Sequence, residues 1–416
     1  VMKGDNRRTL GVNFNIGYHL RDKLTVNYQN TFNYAATKDS PYGNFSTYVK
    51  MNPYWTIYDD EGELIKKYWF NPYDTSSESI VNPLYDATLS SFSKGASHNW
   101  SNSLNARWNV TKNFYVTAQG SMRMTWTSSD DYESPDMAKY ETITDVKKKG
   151  RYSFSNTNGI NADGKIVLNY GRSLDSHGSM FRVSAGGNIQ YTRSKSSSAV
   201  GQGFLKDNLS DISFALDYPE NSAPGGSDKL STGVGVFANA NVGFRNRYFV
   251  DASYRASGSS KFGSNNSFAP FWSLGAGWNI HNEKFAKNWE WLNTLTLRYS
   301  AGYTGSVSFD YYQAKTVYKY DSKNLYYTGI GALPRQMGND NLKWQRTFNN
   351  NIGLTGAFLK SRFNFSIDFY SNTTYDTLMS FNLPPSVGAT SMQVNFGEIN
   401  NKGVDLSISG QIITNK

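Results

Sequence analysis

From Leu10 the chain alternates. Leu10, Val12, Phe14, Ile16, Tyr18 and Leu20 share one parity, while Gly11, Asn13, Asn15, Gly17 and His19 hold the other. A period of two kept up this long predicts a strand about twice the usual length. After Arg21-Asp22-Lys23 the pattern restarts with Leu24, Val26, Tyr28, Phe32 and Tyr34 against Thr25, Asn27, Gln29, Thr31 and Asn33, which predicts a hairpin. The unit recurs on either side of Thr111-Lys112. Trp100, Leu104, Ala106, Trp108 and Val110 precede that turn, and Phe114, Val116, Ala118, Met122, Met124 and Trp126 follow it. Weaker alternation covers 158–170 and 181–191. Clear alternation returns over 234–244, 248–256, 272–280, 295–303, 348–358, 363–369 and 404–412. About thirteen strands are predicted.

The connections alternate as well. Short turns fall at 21–23, 111–113, 173–179, 245–247, 281–293 and 360–362; long segments fall at 35–98, 127–157, 194–230, 257–270, 305–346 and 375–402. Long strands with short turns on one rim and long loops on the other predict an all-β fold, a transmembrane antiparallel β-barrel with long extracellular loops and short periplasmic turns. A soluble sandwich would have shorter strands and no such asymmetry. In lipid every backbone N–H and C=O needs a partner, so a sheet can span only as a closed barrel. Tyr18, Tyr34, Trp100, Trp126, Tyr191 and Trp278 are placed for the aromatic girdles at the two interfaces. The count is odd, whereas bacterial single-chain barrels have even numbers. Missing strands at one or both ends are therefore expected.

Composition fits this picture once it is split by parity. The chain has 416 residues, 15% aromatic but only 38% hydrophobic, and a mean hydropathy of −0.58. One stripe faces lipid and the other a watery interior, so a polar average is what a barrel should show. The absence of Cys excludes disulfide scaffolds, Cys-based zinc sites and Cys nucleophiles. The net charge of +9 is dispersed. Its densest run, Lys147-Lys148-Lys149-Gly150-Arg151, reads as a solvated loop, and no signature for a nucleic-acid partner accompanies it. His19, His98, His177 and His281 are scattered, with no metal-ligand spacing, so neither metal nor cofactor is expected. Gly233-Val234-Gly235-Val236-Phe237-Ala238 imitates a dinucleotide fingerprint. It lies in an alternating strand, where glycine accommodates a bulky neighbour or a plug. The opening Val1-Met2-Lys3-Gly4-Asp5-Asn6 has no apolar leader.

Several phrases exceed generic strand grammar. Arg255-Ala256-Ser257-Gly258-Ser259-Ser260-Lys261-Phe262-Gly263 is followed by Pro270-Phe271-Trp272-Ser273 and Gly277-Trp278-Asn279-Ile280. Gly302-Tyr303-Thr304-Gly305-Ser306, Asn341-Leu342-Lys343-Trp344-Gln345 and Asn395-Phe396-Gly397-Glu398-Ile399-Asn400-Asn401-Lys402-Gly403-Val404-Asp405 come next. Upstream stand Asn52-Pro53-Tyr54, Asp59-Asp60-Glu61-Gly62 and Asn82-Pro83-Leu84-Tyr85. In this order the phrases resemble the SusC/RagA-like TonB-dependent outer-membrane transporters of Bacteroidota. Ser257 stands where that family usually has Asp, Lys261 for Arg, Ser306 for Asn and Gln345 for Glu.

The resemblance implies the middle of a 22-strand barrel, residues 1–416 forming part of the barrel domain, with the plug domain and C-terminal strands outside this chain. It implies an outer-membrane importer of glycans or oligopeptides that makes and breaks no bond. The implied partners are a SusD-like surface lipoprotein, outer-membrane lipid, and TonB engaged through a segment upstream. Arg255, Gly258, Ser259, Ser260, Phe262, Gly263, Trp344, Gly397, Asn400 and Gly403 are expected to be structural, the glycines serving tight turns and positive φ. Candidate ligand contacts are aromatics in polar loops: Tyr54, Trp55, Tyr68, Trp69, Phe70, Tyr311, Tyr312, Tyr326 and Tyr327. Such rings stack on sugars and on peptide side chains alike, or simply pack within the loops or against a partner protein. A passive porin or adhesin, and a hydrolase on the barrel rim, are the alternative functions.

Overall fold

A computed structural model describes residues 2–69, 79–220, 222–306, 310–327 and 329–411. Thirteen strands form one antiparallel sheet in strict sequence order. They are β1 (Asn6–Leu20), β2 (Leu24–Lys38), β3 (Phe92–Asn109), β4 (Phe114–Glu133), β5 (Arg151–Ser173), β6 (Met180–Gln202) and β7 (Gly225–Phe244). Then come β8 (Tyr248–Ser259), β9 (Phe268–Asn279), β10 (Leu292–Ser306), β11 (Gln345–Phe358), β12 (Phe363–Tyr375) and β13 (Glu398–Gly410). Three short hairpins stand apart within the long loops: Lys67–Trp69 with Ser79–Val81, Val317–Tyr326 with Gly329–Gln336, and Leu378–Asn382 with Ser391–Asn395. No described helix is long and apolar enough to cross a membrane.

The register puts the predicted parities on opposite faces. Leu10 pairs with Tyr34, Val12 with Phe32 and Ile16 with Tyr28, while Asn13 pairs with Thr31 and Asn15 with Gln29. The apolar row continues through Leu104 opposite Tyr28 and Trp108 opposite Leu24. These side chains stay exposed: Leu10, Val12, Phe14, Ile16, Tyr18 and Leu20 lie between 48% and 56%. A soluble protein would bury such a row. In a barrel it is the surface that meets hydrocarbon.

The strands exceed the sequence expectation, mostly towards the long-loop rim, with smaller extensions at the short turns of β5 and β10. The two weakest, β5 and β6, are the longest at 23 residues each. Beyond the lipid both faces are wet, so the hydrophobic alternation fades while the backbone ladder continues. The segment expected as a long loop over 257–270 shrinks accordingly, since β8 runs to Ser259 and β9 starts at Phe268. The short turns lie where expected, and several use positive φ without glycine: Arg21, Arg245, Asn246, Leu359, Lys360 and Ser361. The basic run at 147–149 includes a short 3-10 turn, Val146–Lys148, before Arg151 opens β5.

Candidate functional site

Most of the buried hydrophobic side chains gather under the long-loop rim. Phe262, Ala269, Phe271, Ala314, Leu342 and Trp344 form one core, with Tyr303 and Leu378 packed against it. Trp344 stacks on Phe262 with centroids 4.3 Å apart and meets Phe271 edge-on at 5.4 Å. Polar pairing fixes the surrounding loops. Gly263 N–H donates to the Leu342 carbonyl (3.0 Å), and Asn265 Nδ2 to Asn341 Oδ1 (2.9 Å). Asn395 receives the Lys343 N–H and returns Nδ2 to the Lys343 carbonyl, both at 2.9 Å. Asp376 adds ion pairs to Lys343 (2.8 Å) and Arg346 (3.1 Å). Three phrases far apart in sequence thus become one packed unit.

The motif glycines differ in what their surroundings demand. Only Gly397 has positive φ, at +103°. Gly258, Gly263 and Gly403 have none, and their need is room. A Cβ on Gly258 would lie 2.6 Å from the Phe268 ring. One on Gly263 would collide with the Asp340 carbonyl, and one on Gly403 with the Tyr370 phenol. Ser260 N–H donates to the Thr232 carbonyl and its Oγ receives the Thr232 N–H, both at 2.9 Å. Ser259 N–H donates to the Ser267 carbonyl (3.1 Å), and Asn400 Nδ2 to Thr373 Oγ1 (2.7 Å).

A second core, invisible to the alternation, joins the rim ends of β3, β4 and β5 to the loop that follows β6. Tyr132, Tyr152 and Phe204 are buried, with Phe92, Phe154, Ile212 and Ala215 around them. Asp207 locks this unit, accepting from Ser90 N (2.9 Å) and Ser90 Oγ (2.7 Å) while its own carbonyl receives the Tyr132 hydroxyl (2.9 Å). Burial pushes the Asp207 carboxyl up, but the Ser134 and Ser90 donors outweigh it and hold it below the usual carboxylate range. Its only sequence signal was the Tyr and Phe content of segments that lack period-two order.

The candidate ligand-contacting aromatics separate into groups. Trp55 stacks on Tyr68 at 4.6 Å and 15°, so this pair packs on itself, whereas Tyr54 is 91% exposed. Tyr311 and Tyr312 sit 6.4 Å apart. The Tyr312 hydroxyl donates to the Asp228 carbonyl (3.0 Å) and receives Leu230 N–H (3.0 Å), which pins that loop to β7. Tyr311 lies beneath two cations, Lys261 Nζ at 4.5 Å and Lys229 Nζ at 5.9 Å. Tyr327 is fully exposed. Phe70 and the side chains of Trp69 and Tyr326 lie outside the described residues.

Below the first core, the inner face of β3 to β8 is a wall of amides and charges. Lys165 pairs with Asn188, Asn188 with Gly235, and Gly235 with Ser257 across four strands. Arg255 reaches across the glycine: its Nε donates to Ser257 Oγ (2.6 Å) and its Nη2 to Asn188 Oδ1 (2.8 Å). A Cβ on Gly235 would lie 2.7 Å from that guanidinium, so the fingerprint-like Gly235 serves a bulky neighbour. A cavity of about 350 Å³ opens here, lined by Asn105, Gln119, Asp163, Lys165, Asn188, Gln190 and Arg255 among others. Among the described residues no group of three or more His, Asp or Glu could hold a metal ion.

A lipid-facing apolar row, a polar inner wall and a rim of packed long loops define an outer-membrane β-barrel. The family described as TonB dependent receptor-like, beta-barrel matches residues 138–414. The chain belongs to that family. The TonB-dependent receptor SusC of Bacteroides thetaiotaomicron is 34% identical over 195 residues, covering 45% of this chain and 19% of SusC. A TonB-dependent receptor of Formosa agariphila is 23% identical over 416 residues, covering 95% of this chain and 39% of that protein. The structure of the RagAB peptide transporter shares the fold at a TM-score of 0.82 and 24% identity, over 99% of this chain and 45% of that one. The chain thus spans less than half the length of these relatives.

Proposed function

We propose that this chain forms the barrel wall of an active importer of oligomeric nutrients, glycans or oligopeptides. In this reading it is energised through TonB, carries a plug domain in the complete protein, and works with a SusD-like lipoprotein over the long-loop rim. The observation that carries it is the pairing of a hydrogen-bonding lumen wall with a rim whose loops are packed around two aromatic cores. Loose loops could not hold a lid in register, whereas packed ones present a fixed surface with Tyr54, Tyr311 and Tyr327 at hand. The RagAB peptide transporter, which shares the fold, is in keeping with oligopeptide uptake. Ligand held between lid and rim would pass inward once the plug rearranges; no bond is made or broken.

The test is deletion of the complete gene in its native host, with uptake of labelled oligosaccharides and oligopeptides measured with and without TonB. Loss of uptake for one class, reproduced by removing TonB, is the expected result. Uptake indifferent to TonB, with steady conductance from the purified complete protein in a bilayer, would establish a passive porin instead.

A further inference from the structure

We propose that the 280–291 turn is a membrane-interface ledge, whose exposed rings seat glycerophospholipid of the periplasmic leaflet at the boundary between headgroups and acyl chains. Its burial is inverted. Glu283 and Ala286 are 8% and 4% exposed, whereas Phe285, Trp289 and Trp291 stand at 54%, 37% and 50%. A turn in water would hide its rings and show its acid. The exposure is not looseness. Ala286 N–H donates to the Glu283 carbonyl, Trp289 N–H to the Ala286 carbonyl and Leu292 N–H to the Trp289 carbonyl, all between 2.9 and 3.1 Å. The next turn along the rim is tied on, since Leu359 N–H donates to the Trp291 carbonyl (2.8 Å) and Ser361 N–H to Asn293 Oδ1 (2.9 Å).

A ladder of rings leads from the turn to the lipid-facing side of the wall. Phe285 meets Trp289 at 5.8 Å, Trp289 stacks on Trp291 at 5.7 Å, Trp291 on Phe358 at 5.4 Å and Phe358 on Phe365 at 5.3 Å. Phe358 and Phe365 share the face of Leu354 and Ile367, which pair with each other and then with Leu406, 63% exposed. Glu283 fastens the turn to that same face, accepting from Tyr248 and Trp278, which pair across β8 and β9. Trp278 in turn pairs with Leu297, and Leu297 with Leu354. A lumenal domain would lie on the other face of the sheet, and β10, β11 and β12 each have both neighbouring strands. The rings are thus continuous with the hydrocarbon-facing surface, yet lie past the strand ends, where indoles favour the headgroup boundary. The charge agrees. The two tied turns carry Lys284, Lys287, Lys360 and Arg362 against Glu290, once Glu283 is engaged with Arg247. Exposed rings beside cations suit a lipid phosphate above its apolar chains.

The test uses the purified complete protein in vesicles of phosphatidylethanolamine and phosphatidylglycerol, with bromine on the acyl chains either near the glycerol or near the chain end. Trp289→Phe combined with Trp291→Phe keeps aromatic rings in place, and subtracting its emission from that of the parent isolates these two indoles. Heat-modified gel mobility shows whether the variant barrel is folded; if the pair is not tolerated, either single substitution gives the same subtraction for one indole. The isolated emission should lose most intensity to the shallow bromine, less to the deep one, and little to iodide in the water. Loss to iodide with none to either lipid would put the ledge in water. Greatest loss to the deep bromine would make it ordinary barrel wall, and shielding from all three quenchers would put a protein surface over it. Each of these results would overturn the proposal.

Discussion

Phe262 and Trp344 stack nearly face to face, ring planes 23° from parallel, although they come from different loops. With Leu342 fully buried beside them, they are the centre from which two long loops hang. Replacing Trp344 by Ala should cost about 3–5 kcal/mol of loop stability, the usual range for emptying a buried aromatic site. The barrel itself should persist, because its strands are held by their own ladders. Trp344 Nε1 is buried without an acceptor among the described residues. Trp344→Phe therefore forfeits no hydrogen bond and leaves a smaller cavity, so it should cost less than Trp344→Ala. Limited proteolysis of the 307–344 and 376–397 loops, beside heat-modified gel mobility of the barrel, separates the two effects.

The two faces of the sheet should respond oppositely to charge. Leu104 is 48% exposed on the outer face of β3, midway between Trp100 and Trp108. Arginine there would stand in hydrocarbon and should cost about 2–4 kcal/mol. Arginine at the next residue, Asn105, points to the watery wall and should be almost free. Urea titration of folded protein in phospholipid vesicles checks the pair. Equal costs would contradict the assignment of faces.

How far the sequence foretold this is uneven, and the reasons are physical. Strands such as 10–20 and 24–34 were legible because lipid on one side and water on the other impose period two. In β5 and β6 that pattern is damped by outward Ala162, Gly164, Ala185 and Gly187, so the longest strands looked the weakest. Turn positions were legible, but not their positive φ at Arg245, Asn246 or Lys360. Of the site, the phrases around Phe262, Trp344 and Asn395 stood out as words; that they pack together was not readable, since no local period links them. The aromatic loop candidates carried still less. Whether a tyrosine stacks on a neighbour, as Tyr68 does, or projects into solvent, as Tyr54 does, depends on contacts between segments.

On the opposite rim, Glu283 gathers three donors: the Tyr248 hydroxyl at 2.6 Å, Trp278 Nε1 at 3.2 Å and Arg247 Nη1 at 3.2 Å. The Tyr248 hydrogen bond above all, then Trp278 and the Arg247 charge, holds its carboxyl below the usual glutamate value. A lowered folded-state value means the stabilisation is complete above the unfolded value, near about 4.3, and fades as pH falls through the lower one. The 280–291 turn should thus loosen in acid below about pH 4 and stay firm at neutral pH. Glu283→Gln should remove most of that dependence by weakening the turn at every pH. Hydrogen exchange of this turn across a pH series, corrected for intrinsic rates, reads it directly.

Tyr54 and Trp55 are neighbours in sequence with opposite surroundings, and this separates binding from packing in the first long loop. Trp55 is spent on Tyr68, so Trp55→Ala should remove an aromatic pair of about 0.5–1.5 kcal/mol beyond its buried area and raise protease cleavage of the loop. Tyr54 is almost wholly exposed, so Tyr54→Ala should leave cleavage unchanged. If Tyr54 contacts the ligand or the lid, the same substitution should reduce ligand capture by the complete protein. If it does neither, both readouts should match the parent. Measuring loop cleavage and ligand binding on both variants distinguishes the cases, because only a contact residue loses binding while its loop stays intact.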